Sequence, residues 1–125
     1  MNLENWQVLV VEDETDSRDM VRELLAYYGA NCICTETAEE ALRRLEREHP
    51  TLIIADLALP GMDGWGLLHV LQSRADLDTI PRVAVTAYHS VELAERAVQE
   101  GFDAYFAKPL DATSFVSDLQ RIVDG

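Results

Sequence analysis

Positive charge is scarce in this chain. Lysine and arginine together number 10 against 23 acidic residues, a formal charge of −13 at pH 7 over 125 residues. That balance argues against a nucleic-acid footprint or an anionic membrane surface and suits a partner with a basic face. Long apolar runs are missing too. None approaches the roughly 18 to 20 residues that cross a bilayer, and the N-terminus lacks a basic region followed by an apolar core, so a cytoplasmic chain with no membrane contact is expected. The only cysteines, Cys32 and Cys34, are too few for a thiolate zinc site and too close for a good structural disulfide. They read as small apolar core residues on one face of a strand, in a reducing compartment. His49, His69 and His89 lie in separate segments without ligand spacing. Lysine is scarcest of all: Lys108 stands alone, every other side-chain cation being arginine.

What is present is an alternation. The length fits one domain over residues 1–125, with a core that needs no metal or disulfide to hold it. Val8 to Val11 is an unbroken apolar run ending at Glu12-Asp13-Glu14, and Leu52 to Ala55 is another, running into Asp56 before Pro60 and Gly61 forbid further strand. Asn31–Thr35, Val83–Val85 and Ala104–Ala107 are the other expected strands. Between them come one-sided helical stripes. Asp16–Tyr28 carries Val21, Leu24, Leu25 and Tyr28, Ala38 to Leu45 follows Thr37 with the spacing of a capping box, and Gly64–Ser73 carries Leu67, Leu68 and Leu71. Ser90 caps a fourth helix expected to bury Ala94, Ala97 and Val98, and Asp111 caps a fifth with Phe115, Leu119, Ile122 and Val123 inward. Five strand–helix repeats predict an α/β fold: a flavodoxin-like, doubly wound, five-stranded parallel sheet in the order 2-1-3-4-5 with five helices.

The strands end on residues that carry chemistry: Asp13 after the first, Asp56 after the third, Thr86 after the fourth and Lys108 after the fifth. In an open parallel sheet these ends share one edge, and a crevice forms where the strand order reverses. Glu12, Asp13 and Asp56 would make a like-charge cluster that resists ionisation unless a hard cation sits among them, and oxygen ligands of this kind select magnesium or manganese. A metal ion, an ammonium and a hydroxyl are what stabilise a phosphoryl group in transfer, and Asp56 is the candidate nucleophile, giving an acyl phosphate.

Four motifs in this order, Glu12-Asp13, Asp56 through Gly64, Thr86-Ala87 and Lys108-Pro109, give a chain that resembles the receiver domains of two-component response regulators from Val8 to about Val123. The resemblance implies that Asp56 accepts a phosphoryl group from a histidine kinase or phosphotransfer protein in a phosphorelay. It implies magnesium held by Asp13, Asp56 and the Ala58 carbonyl, with Glu12 acting through water. Lys108 would contact the phosphoryl oxygens across a cis peptide to Pro109, and Thr86 would be drawn toward them. Tyr105 falls where the family carries a switch aromatic, so the face made by the fourth helix, fifth strand and fifth helix would change and bind a downstream target or a second copy. Glu12 stands where the family often has Asp. Two rivals remain. A receiver-like domain could serve only for dimerisation or docking. A haloacid-dehalogenase-type phosphatase would also use an Asp nucleophile, but such enzymes carry a second acid two residues on, and here that place is Ala58.

Overall fold

A computed structural model of the chain describes residues 2–125. The apolar runs form β1 (Gln7–Val11), β2 (Asn31–Thr35), β3 (Leu52–Asp56), β4 (Arg82–Thr86) and β5 (Ala104–Ala107). The amphipathic stretches form α1 (Thr15–Tyr27), α2 (Ala38–Arg44), α3 (Gly64–Ser73), α4 (Val91–Glu100) and α5 (Ala112–Asp124). All strand pairings are parallel, in the order β2-β1-β3-β4-β5, the flavodoxin-like doubly wound arrangement expected. Successive strand residues face opposite ways, so Val8, Val10, Leu52, Ile54, Val83 and Val85 pack with Val21 and Leu25 of α1 and Phe115, Val116 and Leu119 of α5. Leu9, Val11, Ile53 and Ala55 point to the other side, against Ala38 and Ala41 of α2 and Leu67 and Leu71 of α3. A third and smaller cluster, Leu57, Leu68, Ala84, Ala97 and Phe102, lies under α4. Cys32 and Cys34 are free and half-buried against the first cluster, and burial, then the neighbouring Cys34, pushes the Cys32 thiol up to about 12.

Short polar side chains start four of the helices. Thr37 accepts from Glu40 N at 3.0 Å, Asp63 from Gly66 N at 2.9 Å, Ser90 from Leu93 N at 3.0 Å and Asp111 from Ser114 N at 3.0 Å. The capping box at Thr37 is half made, because the Glu40 carboxylate reaches Glu36 N at 3.5 Å instead of the cap's own amide. On α4 the expected inner stripe is corrected. Ala97 is buried and Ala94 half-buried, but Val98 is 56% exposed, and Leu93 packs inward in its place. The helix is rotated so that Leu93 and Ala97, four apart, meet the sheet, which turns Val91 and Val98, seven apart, outward. The outer contacts of α4 with α3 are polar: Arg96 Cζ lies 4.0 Å over the Trp65 ring, His69 Nε2 is 3.2 Å from Glu100 Oε1, and Gln72 Nε2 donates to the Glu100 carbonyl at 2.6 Å.

Arg82 is a buried cation that the apolar pattern did not signal. Its guanidinium donates to the Ile80 and Leu77 carbonyls at 2.8 Å each, and its own amide donates to Asp103 Oδ2 at 2.9 Å. Arg82→Ala would leave the buried Ile80 carbonyl without its donor, while the Leu77 carbonyl keeps the Ile80 amide at 3.1 Å, so urea unfolding is expected to show a loss of about 1–3 kcal/mol. An unchanged midpoint would mean that water takes over the Ile80 carbonyl.

Candidate active-site cleft

β1 and β3 are neighbours in the sheet, and their following connections leave to opposite faces, so the residues after them border a crevice. There one carboxylate oxygen from each of Glu12, Asp13 and Asp56 lies within 4.8 Å of the others. Asp56, the last residue of β3, is buried, as is Glu12, while Asp13 is exposed. Lys108, just beyond β5, reaches across: its Nζ donates to Asp56 Oδ2 at 2.9 Å and to Glu12 Oε1. The second Asp56 oxygen, Oδ1, accepts from Ala58 N at 2.9 Å. Burial, opposed by the Lys108 hydrogen bond and reinforced by the Asp56 charge, pushes Glu12 up to about 7. Burial works against the Lys108 ammonium, but its hydrogen bonds to Glu12 and Asp56 outweigh it and hold the group above its ordinary value. The cleft is about 200 Å³, lined by Glu12, Asp13, Glu14, Asp56, Ala58, Ala87, Tyr88 and Lys108.

Three oxygen-bearing acids at this spacing form a set into which a hard divalent cation fits, and they are poorly suited to zinc or copper. The matching of residues 8–120 to the response regulator receiver domain family decides what kind of cleft this is. The chain belongs to that family.

A 14.6 kDa uncharacterised protein of Leptolyngbya boryana is 37% identical to this receiver over 119 residues, spanning 95% of this chain and 91% of the relative. The response regulator protein FleR of Pseudomonas aeruginosa is 34% identical over 92% of this chain, which spans only 24% of FleR's length. Among solved structures, the receiver domain of sensor histidine kinase PA1611 from Pseudomonas aeruginosa PAO1, with a magnesium ion coordinated in its active-site cleft, superposes with a TM-score of 0.87. It is 25% identical, with 96% of this chain and 98% of that one covered.

Two glycines shape the connection from β3 to α3 in this receiver. Gly61 has φ +69°, a left-handed turn that ends the run after β3, and Gly64 brings α3 hard against the end of that strand. A Cβ on Gly64 would lie 2.6 Å from the Asp56 carbonyl oxygen and 2.7 Å from Leu57 Cα, both rigid backbone. Gly64→Ala must therefore push α3 away from Asp56, and a loss of about 1–3 kcal/mol is expected in urea unfolding. An unchanged midpoint would show that the helix steps back freely. The Lys108–Pro109 peptide is cis, and Lys108 N donates to the Thr86 carbonyl at 2.9 Å.

Not every expected residue reaches the cleft. Thr86 ends β4 but is buried, its hydroxyl accepting from Tyr88 N at 3.1 Å, and it is not among the cleft-lining residues. Tyr105 stands further back, half-buried, its hydroxyl donating to the Tyr88 carbonyl at 2.9 Å and 3.3 Å from His89 Nδ1. Arg18 is a residue that motif reasoning missed. Nη1 donates to the Glu12 carbonyl at 3.0 Å and Nη2 lies 3.4 Å from Glu36 Oε1, tying the ends of β1 and β2 together beside the acids. The available signal was its place one turn into α1, on the side that faces the acidic pair.

Proposed function

We propose that this receiver is the phosphoacceptor of a two-component phosphorelay, with Asp56 as the acceptor and residues 1–125 acting as one receiver unit in the cytoplasm. What carries the reading is the Lys108 ammonium bridging Asp56 and Glu12 inside a three-carboxylate cluster. A carboxylate oxygen of Asp56 attacks the phosphorus of a phosphohistidine on a histidine kinase or phosphotransfer protein. The P–N bond breaks, its electron pair returns to the imidazole, and the new O–P bond makes an acyl phosphate. Mg2+, when bound, neutralises charge on the transferring oxygens. The residues to hold it are Asp13, Asp56 and the Ala58 carbonyl, with Glu12 through water.

Lys108 follows the charge as it moves from the carboxylate to the phosphoryl oxygens, and this is where preorganised positive charge lowers the barrier. Thr86 can turn its hydroxyl from the Tyr88 amide toward the phosphoryl group. Tyr105 is bonded to the same Tyr88 backbone, so movement of that segment is felt at α4 and β5. The face of α4, β5 and α5 is then the surface for a downstream target or a second copy, with no direct nucleic-acid contact. The protein works as a switch, not an enzyme that turns over substrate.

Incubation with acetyl phosphate and Mg2+ followed by intact mass measurement tests this. One added phosphoryl group, absent with chelator, is expected. An unchanged mass in both samples would favour the docking-only reading.

A further inference from the structure

Glu39 lies in the first turn of α2, yet its carboxylate serves another part of the chain. Met62 N donates to Glu39 Oε2 at 3.1 Å, across 23 residues of sequence. The contact depends on a bare backbone beside it: a Cβ on Gly61 would lie 2.8 Å from that same oxygen. The Met62 amide, then Glu39's own, hold the carboxyl below its ordinary range. Beneath the polar contact, Leu59 and Met62 pack with Ala38 and Ala41 of α2.

The connection from β3 to α3 is fixed at both ends. Leu57 N donates to the Val85 carbonyl and Ala58 N to Asp56 Oδ1, while Gly64 N donates to the Leu57 carbonyl and Asp63 caps α3. Between Leu59 and Met62 the bond to Glu39 is the one backbone hydrogen bond to another element among the described residues.

We infer that Glu39 is a positioning residue for the segment 57–63, holding from α2 the backbone that presents Ala58 to the cleft. The inference rests on the reading of Asp56 and Ala58 given above. It acts through the segment and touches none of the reacting groups. Its loss should therefore weaken metal binding more than it slows the chemistry.

The test compares the unaltered protein with Glu39→Ala and Glu39→Gln by Mg2+ calorimetry, by acetyl-phosphate labelling over a range of Mg2+, and by amide hydrogen exchange without metal. Glu39→Ala is expected to bind Mg2+ about tenfold more weakly, as supporting residues of metal sites do. Its labelling rate should recover at saturating Mg2+, and the Met62 amide should exchange faster while Leu57 does not. Glu39→Gln keeps an oxygen that accepts the same N–H and should stay close to the unaltered protein. Unchanged Mg2+ affinity in Glu39→Ala, or equal losses in both variants, would overturn the inference. If the unaltered protein takes up neither Mg2+ nor phosphate, the phosphoacceptor reading falls and this inference with it, a failure recognisable because it precedes any substitution.

Discussion

An Asp56→Asn protein is expected to gain no phosphoryl mass under conditions in which the unaltered chain gains one. The amide oxygen is a far weaker nucleophile than a carboxylate, and no other acid at the cleft shares the position of Asp56 at the end of a central strand. The substitution is close to isosteric. Its side-chain oxygen can still accept from Ala58 N, as Asp56 Oδ1 does at 2.9 Å. It removes one negative charge from a cluster of three and weakens the ion pair with Lys108, two opposing effects, so little change in stability is expected, and a thermal melt run beside the mass measurement separates loss of chemistry from loss of fold. A variant that still gained one phosphoryl group would move the acceptor to another residue and end the case for Asp56.

Lys108→Ala carries the second large effect. Among the described residues Lys108 is the one cation that touches both Asp56 and Glu12, and its stem rises from a backbone held by the Thr86 carbonyl. Removing one preorganised group that stabilises developing charge costs on the order of 10²–10³ in rate, and acetyl-phosphate labelling at saturating Mg2+ should fall by that factor. The same variant has a second readout. Glu12 is pushed up to about 7 by burial against the opposing hydrogen bond from Lys108, so without that bond it should hold its proton to still higher pH, measurable by carboxyl NMR titration. Labelling at the unaltered rate would leave Lys108 a merely structural cation.

The architecture was legible in the sequence because both faces of the sheet are covered. Runs such as Val8–Val11 and Leu52–Ala55 have to be apolar at every position, and they end abruptly where the sheet edge meets solvent. Strand-end residues are brought together by topology alone, so Asp13, Asp56 and Lys108 could be expected at one place before any distance was known. What periodicity handles poorly is helix rotation and individual polar partners. For α4, Ala94, Ala97 and Val98 form as good a stripe as Leu93 and Ala97, and the packing under Phe102 decides between them. Arg82 and Arg18 satisfy backbone carbonyls, and a carbonyl leaves no trace in the sequence. Thr86 was expected at the strand end and is there, but the direction of its hydroxyl depends on the Tyr88 amide.

The uneven anchoring of the helices has a mechanical consequence. Helix α5 fully buries Phe115, Val116 and Leu119, whereas α4 fully buries only Ala97, with Leu93 and Ala94 half-buried beside it, and is otherwise held by solvent-exposed contacts of Arg96 and Glu100 with Trp65 and His69 of α3. Lifting α5 would tear out an aromatic and two aliphatic side chains, while displacing α4 forfeits the methyl group of Ala97, the partial burial of Leu93 and some solvent-competed contacts. One flank of the molecule is thus a fixed keel and the other a hatch, and under the phosphoacceptor reading proposed above a charge change at the cleft would need to overcome only the weaker of the two.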